Sequence, residues 1–177
     1  SRLAKRWHGC ASPLLAAVAL LVSAAAHAQY ADLDRADWKE DAAPPPPVYS
    51  TSRLIDIEMP RSATVRMGID PETITINHDT GIVRYVVVTR GPSAVNATYE
   101  GIRCATGEYR VYARQVQGNP WTPSSENDWK SMRGQTSVMV QHPYRLARDG
   151  MRIGTGVRQT VADMVRELKS GNRSLYY

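Results

Sequence analysis

The chain has 177 residues, 22 of them basic and 17 acidic, with 42% hydrophobic residues, no phenylalanine and two cysteines. Three of the cations and none of the anions lie in residues 1–28, so the rest carries 19 against 17, or +2 over 149 residues, too little to argue for a nucleic-acid or membrane-surface partner. Sixteen of those 19 cations are arginine, which suits planar carboxylate or phosphate recognition, although a GC-rich genome produces the same bias.

Residues 1–28 read as an export leader. Arg2, Lys5 and Arg6 supply the positive start, Pro13 to Ala26 the apolar run, and Ala26-His27-Ala28 an A-x-A cleavage site. The mature chain is therefore expected to begin at Gln29 and to be periplasmic. The apolar run is shorter than the roughly 20 residues that span a bilayer, and no later segment is apolar enough, so no transmembrane span is expected after cleavage. Cys10 precedes the apolar run instead of ending it, which does not fit acylation, and it is expected to leave with the leader. Cys104 is then an odd cysteine in an exported protein, either free or paired between molecules.

Gln29 to Ser50 is expected to be a disordered arm, acidic in YADLDRADWKEDAA and stiffened at Pro44 to Pro47, where a polyproline II run donates no backbone hydrogen bonds. Such a run fits an aromatic groove, but a spacer is the simpler reading.

Residues 51–177 are expected to form a single α+β domain. SRLIDIEM and TVRMGI read as short strands, and Asp70-Pro71-Glu72-Thr73 as a turn. ITI resumes as a strand, Asn77 to Gly81 supplies a hairpin loop, and IVRYVVVT follows as the best central strand, with Arg84 in need of a partner or a wet edge. Two further strands, VNATYEGIRC and EYRVYARQV, are joined by Ala105-Thr106-Gly107. The connections are too short for parallel crossovers, so five to six strands should form an antiparallel meander. In the last of them Tyr109, Val111 and Ala113 alternate with Arg110, Tyr112 and Arg114 across two faces. Gln117 to Arg133 reads as loop, with Ser124 or Ser125 able to cap a short helical turn. Val157, Val161, Met164, Val165 and Leu168 form one helical stripe, with Thr155 as the expected cap and Gly171 just past the end. That C-terminal amphipathic helix should cover one face of the sheet.

No nucleophile elbow, phosphate loop, dinucleotide fingerprint or zinc spacing is present. His78, in a hairpin loop, and His142, before Pro143 in a turn, do not have metal-ligand spacing, and neither metal nor cofactor is expected. Cys104 with His142 and Asp149 satisfies a thiol enzyme by residue type alone. Its place on a strand beside Ile102, and not at a helix start, favours a core or edge residue. Arg84, Glu100, Arg103, Arg110 and Tyr112 fall on three consecutive strands. They suit either a surface for an anionic glycan or a peptide carboxylate of an envelope protein, or an internal ladder in which Glu100 neutralises one arginine.

GIVRYVVV, NATYEGIRCATGEYRVYA, the tryptophan-containing loop ending near Trp129 and LARD at Leu146 to Asp149 resemble the CNP-one-like (CNP1-like) family of exported proteins of Gram-negative bacteria. Trp38-Lys39-Glu40 and IDPETITI belong to the same resemblance. It implies a periplasmic or envelope domain and brings no catalytic residue with it. It also implies a disulfide from the position of Cys104 to a cysteine shortly after LARD, where this chain has Arg152. The resulting expectation is a non-enzymatic binding or structural module of the envelope; the alternative is an envelope hydrolase or thiol enzyme of unrecognised type.

Overall fold

The computed structural model describes residues 38–126, 128–137 and 140–173. The expected leader, its cleavage site, Cys10 and the first part of the arm lie outside the described residues. The domain is α+β, built on an antiparallel sheet with a C-terminal helix. Strands β1 (Ile55–Ile57), β2 (Arg66–Ile69), β4 (Ile82–Arg90), β5 (Val95–Arg103), β6 (Glu108–Val116) and β7 (Thr122–Pro123) lie side by side in that order. The two-residue β8 (Lys130–Ser131) pairs with β6, and β3 (Thr75–Asn77) pairs with the start of β4.

Strands β2 and β3 line the same edge of β4, interrupted by one 3-10 turn at Pro71–Thr73. Asp70 caps that turn by accepting from the Glu72 amide, and Pro71 presets its first residue. Gly81 (φ 68°) closes the β3–β4 hairpin and Gly107 (φ 70°) the β5–β6 hairpin, each in the left-handed region that turns of this kind need.

The two faces of the sheet bury different clusters. Val83, Tyr85, Val87, Ile102, Cys104 and Tyr109 point to the helix side with Ile55, Ile57, Met67 and Ile69, while Val86, Val88, Ala97, Tyr99 and Ala113 point to the other. Strict alternation in β6 predicts Ala113 on the face of Tyr109 and Val111. The register shows why it is not: Glu100 faces Val111 but Tyr99 faces Ala113, so Tyr112 is an extra residue, a β-bulge. Both Tyr112 and Ala113 therefore serve the second face.

The helix side holds two elements absent from the sequence reading, a short helix and a hairpin. His142–Leu146 is a helix, α1, with Pro143 in its first turn, continued by a π turn over Ala147–Met151. A hairpin of β9 (Arg152–Ile153) and β10 (Gly156–Val157) follows, with Gly154 at φ 60°. The C-terminal helix, α2, then runs Val161–Arg173. Its cap is Thr160, whose hydroxyl accepts from the Asp163 amide (3.1 Å), and not Thr155, which lies in the hairpin turn; Val157 likewise belongs to the hairpin, and Gly171 lies inside the helix. Met164 and Leu168 anchor α2 in the core, as the stripe requires. Around Ser124 there is no helix; its hydroxyl bonds locally to Glu126.

The two helical elements meet at Gly150. A Cβ there would lie 2.4 Å from Leu168 Cγ and 3.1 Å from the Met164 carbonyl oxygen, whereas at Gly171 the nearest atom would be Asp149 Cβ at 3.9 Å. Gly150→Ala is therefore expected to destabilise the domain by about 1–3 kcal/mol through overpacking, while Gly171→Ala is neutral or stabilising by up to about 1 kcal/mol through helix propensity. Urea midpoints of the two variants check this; equal effects would mean that α2 does not pack on Gly150.

Candidate functional site

Residues 38–50, the described part of the expected arm, form no helix or strand, yet they lie across the second face of the sheet. The reason is a charge. Arg84 sits in the most apolar strand with only 6% of its side chain exposed, and a buried guanidinium requires a counter-charge. Glu40, also 6% exposed, supplies it. One of its carboxylate oxygens accepts from Arg84 Nη2 (2.7 Å) and from the Tyr112 hydroxyl; the other accepts from Arg110 Nη1 (2.9 Å).

The geometry depends on the bulge. Arg84, Gly101 and Arg110 are partners across β4, β5 and β6, so the two arginines flank a strand that has no side chain between them. The bulged Tyr112 lays its ring over that gap. A Cβ on Gly101 would fall 2.6 Å from Tyr112 Oη. Both guanidiniums lie 5.5 Å from the centre of the Tyr112 ring, and Arg84 Nε also donates to its hydroxyl at 3.4 Å. Burial, reinforced by the hydrogen bond to Glu40 and only partly offset by Arg84, pushes the Tyr112 phenol well above its ordinary range, so it stays a proton donor. Burial alone would lower Arg84; Glu40 and Tyr112 outweigh it and hold the guanidinium charged.

Two further contacts seat the arm. The Arg103 guanidinium stacks 3.8 Å above the ring of Trp38, whose Nε1 donates to the Thr80 carbonyl (3.2 Å) and whose edge meets Trp129 at 5.8 Å between centroids. Pro44 to Pro46 then run past Tyr99, Tyr112, Trp121 and Pro123, which share with them a groove of about 390 Å³. At the end of the arm Tyr49 meets Trp121 edge-on. Asp70 closes the segment, its fully buried carboxylate accepting from the Ser50 amide (2.8 Å) and from Arg53 Nε (2.7 Å) and Nη2 (3.0 Å).

Of the five residues singled out from the sequence, Arg84, Arg110 and Tyr112 converge on one carboxylate. Arg103 lies on the same face beside them, also 3.7 Å from Glu108. Glu100 does not join them, and it neutralises none of these arginines. It points to the helix side, where Tyr85 donates to it (3.1 Å) and His142 Nε2 lies 2.6 Å away, tying α1 to β5. Burial, then the Glu100 charge, pushes the Tyr85 phenol well above its ordinary range. His78 is exposed at the β3–β4 turn and His142 is buried, so the two histidines are separated; among the described residues no group of three or more His, Cys, Asp or Glu side chains is placed to hold a metal ion. No helix among them is long and apolar enough to cross a membrane.

Sequence reasoning missed Glu40 and Trp38 as site residues. The signal was present in the shared Trp38-Lys39-Glu40, but the partners of Glu40 lie 44 to 72 residues away, beyond any local pattern. The model of the CNP1-like family matches residues 33–169, a span that includes this part of the arm, and the chain belongs to that family. No curated protein and no solved structure matches it.

Cys104 is buried, 3% exposed, at the end of β5. Burial pushes its thiol up to about 12, with the Arg152 charge pulling it only partly back, so its surroundings favour the protonated thiol at neutral pH. The native thiol is expected to resist Ellman's reagent at pH 8 and to react only on unfolding. The Arg152 charge acts on the thiol, so the two side chains lie within electrostatic reach, at the two positions for which the family resemblance implied a disulfide. Arg152→Cys should then form a bridge that, by loop-closure entropy, stabilises the domain by about 4 kcal/mol. A melting temperature indifferent to reductant in that variant would show that positions 104 and 152 do not face each other.

Asp70 gives a pH dependence of known sign. Burial alone would raise its pKa, but the hydrogen bonds from Arg53 and the Ser50 and Glu72 amides prevail and hold it below the ordinary value. Its contribution is complete above about pH 4, the unfolded value, and is lost as pH falls through the lower folded value. Asp70→Asn is expected to cost about 1–2 kcal/mol at pH 7, discounted for the exposure of Arg53. It should also lessen the acid dependence of the urea midpoint between pH 5 and pH 2. Parallel acid limbs in variant and wild type would exclude Asp70 as its source.

Proposed function

We propose that this member of the CNP1-like family is an exported, non-enzymatic module of the cell envelope that binds a carboxylate-bearing protein or glycan through the arm-side face of its sheet. The observation that supports this reading is that the face already holds a carboxylate: two guanidiniums and a phenol, fixed across three strands, meet both oxygens of Glu40. Two guanidiniums that each reach a different oxygen of one carboxylate recognise a planar anion with defined orientation, and Tyr99 and Trp121 extend the face with aromatic surface for an apolar or sugar-ring neighbour. The residues of the leader, read from their charge and apolar patterning, support export.

The test uses the chain from Gln29 to Tyr177 as bait on envelope extract, in three forms: wild type, Glu40→Gln, and Arg110→Ala with Tyr112→Phe. Weakening the internal carboxylate should raise capture of an anionic partner, and removing the donors should abolish it. N-terminal sequencing of the protein recovered from the periplasmic fraction should begin at Gln29. Identical capture by all three forms, or none by any, would remove the binding reading.

A further inference from the structure

The groove that receives the arm is built for an extended peptide, and its chemistry can be read from the segment seated in it. Trp38 fills the site under Arg103 and beside Trp129, Glu40 fills the Arg84–Arg110–Tyr112 clasp, and Pro44 to Pro46 follow the aromatic wall. Among the described residues no backbone-to-backbone hydrogen bond ties 38–49 to the sheet; the arm is held by its side chains alone until the Ser50 amide reaches Asp70. Nothing in the sheet's own ladder has to break for the arm to leave.

The junction is equally specific. Pro44 to Pro47 form a rod of about 12 Å that cannot fold back on itself, and the next residue, Val48, is 94% exposed. Beyond it Tyr49, Ser50 and Arg53 are fixed to Trp121 and Asp70.

We propose that the groove also accepts residues 38–47 of a second copy of the chain, so that two copies exchange arms and form a two-fold symmetric dimer. This rests on the reading of the arm-side face as a binding surface and names its partner. A second copy fits the groove by charge and shape: its arm carries the same tryptophan, carboxylate and prolines, and presents its anion to the same cations. Each contact of the closed form recurs in the exchanged one, which is what makes such exchange a low-cost route to dimers. The balance between the two forms is set by concentration and by the spacer. A tethered arm competes at an effective concentration in the millimolar range when its spacer fits, and at almost none when the spacer cannot span the site.

Two full-length variants of the chain from Gln29 test this. In one the arm is disabled (Trp38→Ala, Glu40→Ala) and in the other the groove is disabled (Arg110→Glu). Each alone should sediment as a monomer, and an equimolar mixture should form a heterodimer that uses the one intact arm and the one intact groove. Since the first variant leaves Arg84 without its counter-charge and can fail to fold, a third variant keeps Trp38, Glu40 and the groove whole but shortens the spacer by deleting Pro46 and Pro47. Its arm falls short of its own groove, and its dimer dissociation constant should drop at least about tenfold below that of the wild type. A mixture that stays monomeric while both components are folded, or a shortened variant no more dimeric than wild type, overturns arm exchange. A synthetic peptide of residues 38–47 separates that failure from failure of the surface itself. Binding of the peptide to the arm-disabled chain without any dimer removes the exchange alone, whereas absence of peptide binding removes both.

Discussion

A guanidinium within the buried stretch of a nine-residue strand is the constraint from which the second face of this protein follows. Arg84 is flanked by Val83 and Tyr85 and followed by three valines, all buried. Left unpaired there, the charge would cost several kcal/mol, and removing one partner of such a buried pair typically costs about 3–5 kcal/mol. The neighbouring strand offers no help, because the residue opposite Arg84 is Gly101. The solution is a carboxylate brought from outside the sheet. Bringing Glu40 to that position requires its chain to lie flat across β4, β5 and β6, and that route lays the proline run along Tyr99 and Tyr112.

Gly101 and the bulge at Tyr112 belong to the same solution. With any side chain at 101 the space between Arg84 and Arg110 would be filled; with regular alternation Tyr112 would not share a face with Ala113. A missing Cβ and one extra residue on the neighbouring strand together open a slot just wide enough for a carboxylate and roofed by a phenol. The three layers that result have different character. The helix layer is joined to the sheet by apolar packing and by the buried contact of His142 with Glu100, while the arm layer is joined by charge and aromatic edges, with no backbone ladder among the described residues. The first arrangement makes a core. The second makes a contact that can be undone.

The strands were legible in the sequence because their signals are local: β-branched runs bounded by glycine turns, with connections too short for crossovers. The C-terminal helix was legible from Met164, Val165 and Leu168, but its start was not. Val157 fits the helical stripe by spacing alone, and nothing local tells that Gly154 and Gly156 fold its segment into a hairpin first. α1 was hidden for a similar reason, since five residues beginning His-Pro carry too little periodicity to separate a helix from a turn. The grouping of Arg84, Arg110 and Tyr112 could be read from strand order, whereas Glu100 was misplaced although β4 and β5 pair without a break: it stands opposite Tyr85 and three residues from Arg103, an odd spacing that alternation sends to the other face.

The arm was the hardest to read, and the cause is energetic. Acidic residues and prolines predict an unfolded segment when their interactions are counted locally, since a polyproline rod buries little and donates nothing. Its order comes from partners far along the chain, at Thr80, Arg84, Arg103, Arg110 and Tyr112. Composition describes what a segment can do alone; here the useful clue was a deficit elsewhere, an arginine in an apolar strand whose cross-strand partners, Thr75 and Gly101, carry no anion. A buried charge without a visible partner is thus a statement about some other part of the sequence. In this chain it pointed to the short acidic stretch ahead of the prolines, the part of the sequence that composition alone would have set aside.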